Sequence, residues 1–189
     1  MFLLRSTFDP VDLAFTDRYG GVSVVPYDEL NLALESADDP AALAENHRRL
    51  LDAFGPGDVL VGLHQVHGST VVRAEASGFA TPPDADGVVS TEPGLTLMVR
   101  AADCVPVLLA DPAAGVIGAA HAGRPGLAAG VVPATVAAMR DLGAGAITAW
   151  IGPHVCGACY EVPAEMQAEV GALVPEAVAT TSWGTPSLD

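Results

Sequence analysis

The chain contains no lysine: all eight of its basic residues are arginine, set against 23 aspartates and glutamates, for a formal net charge of -15. A deficit of positive charge on that scale argues against nucleic acid and anionic membranes as partners, since both are bound by displacing counterions with a basic footprint. An anionic substrate would have to be met at a local exception. Aromatic residues are also scarce, at 5%, so the core must be built mainly from Ala, Val, Leu and Gly, a composition of α/β or α+β proteins. No apolar run is long and clean enough for a membrane span. The longest weakly polar stretch, residues 115–139, is interrupted by His121, Arg124, Pro125, Pro133 and several glycines. The opening MFLLRSTFDPVD lacks both a basic start before an apolar run and a small-residue cleavage site, so no secretory signal is read and a cytoplasmic protein is expected. Three cysteines, Cys104, Cys156 and Cys159, cannot form an even disulfide framework and must each be read in place.

What is present fits one domain with a substantial core, since a chain of 189 residues buries roughly 70% of its unfolded surface. No repeat, low-complexity tract or long linker divides it. The pattern predicts an opening strand over 11–16, a turn-rich DRYGGVS, the loop PYDELNLAL and a helix from Asp39-Pro40 through Leu51. Short punctuated apolar runs then predict strands near 59–63, 70–74, 87–90, 95–100, 105–110, 116–120 and 147–151. A helix is expected from Gly126 to about Leu142, ended by Gly143, with Pro133 either kinking it or marking a second start. Another helix is expected over 164–173.

The informative feature is where metal-ligand residue types fall. The run VLVGL leads into HQVHG, LTLMVRAA into Asp103-Cys104, and VIGAA into His121-Ala122-Gly123. This places two imidazoles and a thiol at what read as the C-terminal ends of three strands, where rigid ladders deliver side chains to adaptable loops. His67, Cys104 and His121 form a catalytic type of zinc set, with a fourth position left to water or substrate. The alternative is that both histidines are satisfied core residues and Cys104 is a small hydrophobe. His64 and His67 lie three apart, which on an extended strand points them to opposite faces unless the chain turns. His67, next to Gly68, is the preferred ligand, and His64 is a substrate contact or a loop histidine.

Two further segments carry weaker signals. Cys156-Gly157-Ala158-Cys159 is a C-x-x-C pair, but it neither opens a helix after a βα unit, as a redox pair should, nor has a second pair to complete a zinc knuckle. HAGRPG joins a strand to a helix, and its glycines, free N–H groups and Arg124 suit either a phosphate site or an ordinary tight connection.

Taken in order, FTDRYGGVS, LNL, HQVHGSTVV, DADGVVS, ADCVPVLL, HAGRPG and the IGPHV to CYEV region resemble the YfiH-type laccase-domain family across essentially the whole chain. Its members are also called multicopper polyphenol oxidase-like proteins and peptidoglycan editing factors, and several are viewed as zinc-dependent purine nucleoside phosphorylases. The resemblance implies an α+β fold of four layers, α/β/β/α, with mixed sheets. It implies metal ligands at His67, Cys104 and His121, with zinc as the ion and copper the family alternative. Asp103 and His64 stand as catalytic candidates, and Arg124, Gly123, Asn31 and Gln65 as substrate-binding ones. The sequence departs from the family pattern with Arg124-Pro125 after HAG in place of Trp-Arg, with Glu29 before LNL in place of Ser, and with Ala101 before ADC in place of Thr. Residues 1–189 read as one such domain, without the family's C-terminal segment.

The activity implied is phosphorolysis of adenosine, inosine or methylthioadenosine, with adenosine deamination beside it. Purine nucleoside and phosphate are the expected partners, and the oligomeric state is open. Three rivals are weighed: a cysteine amidase or peptidoglycan-precursor editing hydrolase using Cys104 with His121 as base, a non-catalytic binding module, and a true multicopper laccase. The last is disfavoured because five histidines are too few for a copper cluster.

Overall fold

The computed structural model describes residues 1–189 and separates into two units, Met1–Pro153 and His154–Asp189. The first unit opens with a hairpin in which β1 (Phe2–Phe8) pairs antiparallel with β2 (Val11–Thr16). The sequence pattern predicts β2 but not β1, because six of the seven residues of FLLRSTF are exposed and no buried face marks an alternation. Helix α1 (Pro40–Phe54) begins where Asp39-Pro40 predicts. The Asp39 carboxylate accepts from the N–H of Ala41 at 2.9 Å and Pro40 occupies the first turn, a cap that contributes about 1 kcal/mol. The helix continues to Phe54, past the Leu51 end expected.

Six strands follow: β3 (Val59–Val61), β4 (Val71–Arg73), β5 (Gly87–Ser90), β6 (Leu95–Leu97), β7 (Val105–Asp111) and β8 (Val116–Ala122). Helices α2 (Arg124–Ala128) and α3 (Val131–Asp141) and strand β9 (Thr148–Ile151) complete the unit. A five-stranded sheet runs β4-β5-β8-β7-β9, parallel only between β4 and β5, while β3 and β6 make a separate parallel pair. The fold is mixed α+β, as the resemblance implies.

Alternation along β8 sets the layers. Val116, Ala120 and Ala122 join Val131 and Met139 of α3 in one core cluster, and Ala119 joins Val61, Leu63, Val88 and Leu95 in another. One face of the sheet is therefore covered by α3 and the other by the β3–β6 pair. Small residues on β8 let the helix approach closely: a Cβ on Gly118 would stand 2.9 Å from the Met139 sulfur. Each fully buried Leu, Val or Met here contributes roughly 1.5–3 kcal/mol. His121 has the same parity as Ala119, so it points to the face opposite α3.

The single helix expected from Gly126 to about Leu142 is instead two. The chain breaks at Gly130, whose φ of 86° only glycine adopts freely, and Pro133 lies in the first turn of α3, where its missing N–H costs nothing. Of the two readings of Pro133, the second start is the one observed.

In the second unit, α4 (Ala164–Leu173) has the bounds expected, and β10 (Val178–Thr180) pairs antiparallel with β11 (Pro186–Leu188). These three-residue strands are too short for periodicity to reveal. The Gln167 amide donates to the carbonyls of Ala179 and Ser187 at 2.7 and 2.8 Å, fastening α4 to both strands. No helix in the chain is long and apolar enough to cross a membrane.

Candidate metal centre

The ligand atoms of His67, Cys104 and His121 lie within 4.8 Å of one another. The three residues reach this point by different routes. His121 is the penultimate residue of β8. Cys104 immediately precedes β7, so it stands at the start of a strand and not at the C-terminal end of one, as the sequence pattern implied. The physical reason is the antiparallel pairing of β7 and β8, whose register sets Val105 opposite Ala122 and Pro106 opposite His121. A strand start and a strand end therefore lie side by side at one end of the sheet. His67 comes from the irregular segment after β3, six residues beyond Val61.

That segment does turn. His67 has φ 58°, in the left-handed region that costs a residue with a side chain about 1–2 kcal/mol. Asp86 holds it there. Its fully buried carboxylate accepts from the backbone N–H groups of Val66, His67 and Gly68 at 3.2, 3.0 and 2.7 Å, and from Nδ1–H of His121 at 2.7 Å. One side chain thus fixes the backbone carrying one imidazole and the ring of the other. With Nδ1 engaged, His121 is left with Nε2 as its free ligand atom. Burial alone would raise the Asp86 carboxyl, but the hydrogen bonds from His121 and the three N–H groups outweigh it and hold the group below the ordinary 3.8.

The His67 and His121 rings meet edge to face, with centroids 4.8 Å apart and planes at 83°. His67 Nε2 stands 3.7 Å from Cys104 Sγ. Nitrogen and sulfur ligands about 2.0–2.3 Å from one tetrahedral ion stand roughly 3.4–3.6 Å apart, so the His67–Cys104 spacing matches a shared ion, while the full set, spread over up to 4.8 Å, would draw in slightly on binding one. The Cys104 thiol is pushed up by burial and then by the negative charges of Asp103 and Asp86. Two anions beside a thiol favour a cation among them and disfavour a bare thiolate.

The space for these side chains depends on Gly123. A Cβ there would lie 2.4 Å from His67 Cδ2 and 3.2 Å from Cys104 Sγ, and one on Gly126 would lie 2.7 Å from the Gly68 carbonyl oxygen. Both glycines of HAGRPG thus serve the packing of the donor groups. Arg124 and Asp103 are exposed. Asn31 is engaged locally, with its amide donating to Asp38 Oδ2 at 3.0 Å. Gln65 is held by the backbone of Arg100, donating to its carbonyl at 2.7 Å and accepting from its N–H at 2.9 Å. His64 does not join the cluster; its Nδ1 pairs with Asp84 Oδ1 at 2.6 Å, which raises its pKa. The residue that sequence reasoning missed is Asp86, and its signal was an acid set against the wholly buried strand GVVS.

Cys156 and Cys159 belong to the second unit, both exposed, on a turn closed by Cys159 N–H donating to the Cys156 carbonyl at 2.8 Å. The double change Cys156→Ser, Cys159→Ser is expected to leave metal content and turnover within about twofold of the unmodified protein, as for surface substitutions that disturb no core contact. Loss of metal in that variant, read by elemental analysis, would show that these cysteines ligate.

Comparison with known proteins gives a consistent result. The family model described as "Multi-copper polyphenol oxidoreductase laccase" matches residues 12–189. A purine nucleoside phosphorylase of Streptomyces coelicolor is 54% identical over 189 residues, covering 98% of this chain and 78% of the relative. A purine nucleoside phosphorylase of Mycobacterium tuberculosis strain H37Rv is 47% identical over 177 residues, covering 92% and 71%. Among solved structures, YlmD from Geobacillus stearothermophilus superposes with a TM-score of 0.81 at 31% identity, covering 93% of this chain and 71% of that one.

Proposed function

The chain belongs to the multi-copper polyphenol oxidoreductase laccase family, also known by its YfiH members, and from that membership we propose that it is a zinc-dependent purine nucleoside phosphorylase. The observation that carries the reading is the three-donor centre of His67, Cys104 and His121 with Asp86 behind it. The names of the relatives support the substrate class. The reaction joins a phosphate oxygen to C1′ of adenosine, inosine or methylthioadenosine as the bond from C1′ to the purine nitrogen breaks, giving free base and sugar 1-phosphate. Deamination of adenosine, with water as nucleophile, is proposed as a second activity.

Zinc is favoured over copper by the donor set, since only two imidazoles and one thiol converge. When bound, the ion supplies Lewis acidity and positive charge in a strongly acidic protein. The chain's own groups do the rest. Asp86 fixes the tautomer of His121 and the turn at His67. His64, kept protonated to higher pH by Asp84, is the proposed proton donor to the departing base. Asp103, exposed beside Cys104, is placed to exchange protons with solvent at the site's rim.

Arg124 follows Gly123 directly and is the proposed contact for phosphate. Removing a charged hydrogen bond costs about 1.5–3 kcal/mol. Arg124→Ala is therefore expected to raise KM for phosphate on the order of 10- to 150-fold, with a smaller change for nucleoside and for deamination. Equal losses in both reactions would assign Arg124 a structural role.

The Asp86–His121 pair beside Cys104 also favours a second reading, a hydrolase with Cys104 as nucleophile and His121 as base. It leaves unexplained why a second imidazole, that of His67, stands 3.7 Å from the same sulfur. Metal analysis of purified protein, together with phosphate-dependent turnover of a nucleoside panel, separates the two. About one zinc per chain with phosphate-dependent release of base supports the phosphorylase. Metal-free protein whose Cys104 alkylates stoichiometrically, with loss of an amidase activity, would replace it.

A further inference from the structure

A cleft of about 460 Å³ opens at the HQVHG segment, its wall including Leu34, Glu35, His64, Pro82, Asp84 and Arg100. That volume falls in the range of roughly 300–1,000 Å³ that houses small organic ligands, and far exceeds what one inorganic phosphate fills. The cleft shares its chain segments with the metal centre: His64 lies three residues before His67, and Arg100 four before Cys104.

Arg100 is the unusual member. Arg18, Arg48 and Arg49 are paired with carboxylates; Arg5, Arg73, Arg124 and Arg140 form no ion pair but are exposed, so Arg100 is the one arginine both partly buried and without an ion pair, in a chain of net charge -15. Nη2 donates to the Leu63 carbonyl at 2.8 Å, and Nε is buried with no acceptor at all. The backbone beneath it is clamped in both directions by the Gln65 amide. Nε is shut off from solvent and out of a ligand's reach, but Nη1 is neither bonded nor sealed, so the outer edge of the fixed guanidinium, Nη1 with the second hydrogen of Nη2, has donors to offer an acceptor in the cleft.

We propose that Arg100 is a specificity-determining residue that reads the acceptor edge of a 6-oxopurine nucleoside seated in this cleft. The inference rests on the purine nucleoside reading above. Glu35 and Asp84 set carboxylates in the same cleft, which repel an anion but accept from the hydroxyls of a neutral ribose. Asp84 is already half compensated by His64, at 2.6 Å. Leu34 and Pro82 supply apolar contact for the faces of a base. A guanidinium fork complements O6 and N7 of a 6-oxopurine, whereas adenine sets an amino donor against it. Inosine is therefore bound in preference to adenosine, and Arg100 is the source of the preference.

The test is calorimetric titration of inosine and adenosine into the zinc-loaded protein and its Arg100→Leu and Arg100→Lys variants, alongside phosphorolysis of both nucleosides. The expected result is inosine tighter by roughly 10-fold or more, a preference erased in Arg100→Leu and reduced in Arg100→Lys, with zinc content unchanged. The Lys variant keeps the charge and guards against misfolding of the Leu variant, since thermal melting of both reports on the lost bond to Leu63. Equal affinity for the two nucleosides in the unmodified protein, or a preference surviving in both variants, overturns the proposal. Selective binding without turnover would overturn the phosphorylase reading and leave the subsite standing; turnover without selectivity would do the reverse.

Discussion

Cys104→Ala is expected to lower the zinc content of the purified protein from about one ion per chain to near zero, and phosphate-dependent nucleoside cleavage with it. The change removes one of three protein donors, and two imidazoles alone hold a divalent ion far more weakly. The stability of the metal-free fold should move little by comparison. The thiol is only partly buried, its sulfur makes no short hydrogen bond, and the β7–β8 ladder that positions it is carried by backbone. The loss should therefore register in elemental analysis, and the melting temperature should fall only as far as it does when the metal is chelated from the unmodified protein. A Cys104→Ala protein that retained a full complement of metal would refute the centre described here.

Asp86→Ala should have the opposite signature, striking the fold as well as the site. Its carboxylate is wholly buried and satisfies the His121 ring and the N–H groups of Val66, His67 and Gly68. Removing one partner of a buried, hydrogen-bonded pair costs roughly 3–5 kcal/mol, a large share of the 5–15 kcal/mol that holds a typical domain. For a chain of this size that is a fall in Tm on the order of 10 °C, with metal affinity down roughly 10- to 100-fold as the supporting contact is lost. Asp86→Asn keeps an acceptor for His121 but turns amide hydrogens toward N–H donors, so it should fall between. The sign of the pH dependence follows from the lowered carboxyl. Its stabilisation is complete above the ordinary value of 3.8 and is lost as pH falls through the lower folded value. Acid titration of the melting temperature, steeper in the unmodified protein than in Asp86→Asn, checks this.

The legible part of the molecule was the part written in local pattern. Strand β5 and helix α4 have the bounds that apolar runs and punctuation predict. The three residues that converge were legible as candidate donors because imidazole and thiol are rare here and each follows an apolar run. The routes that bring them together were not. Cys104 read as the tail of LTLMVRAA because nothing in that run announces that β6 pairs only through Leu97 and that the next strand begins at Val105. Asp86 escaped for a similar reason: its four partners come from residues 18 to 35 positions away, and no spacing rule reaches that far. Strand β1 was invisible because a strand that buries almost nothing leaves no alternation to find.

The opposed register of Val105 and Ala122 also bears on the order in which the centre assembles. Cys104 and His121 flank a hairpin whose closure is local and inexpensive in loop entropy, whereas His67 must be recruited across 37 residues. The hairpin is thus expected to bring two of the three candidate donors together before the third joins them. A metal ion bound there early would tether β7 to β8 while the rest of the sheet is still searching, and would act on the nascent chain as a fastener.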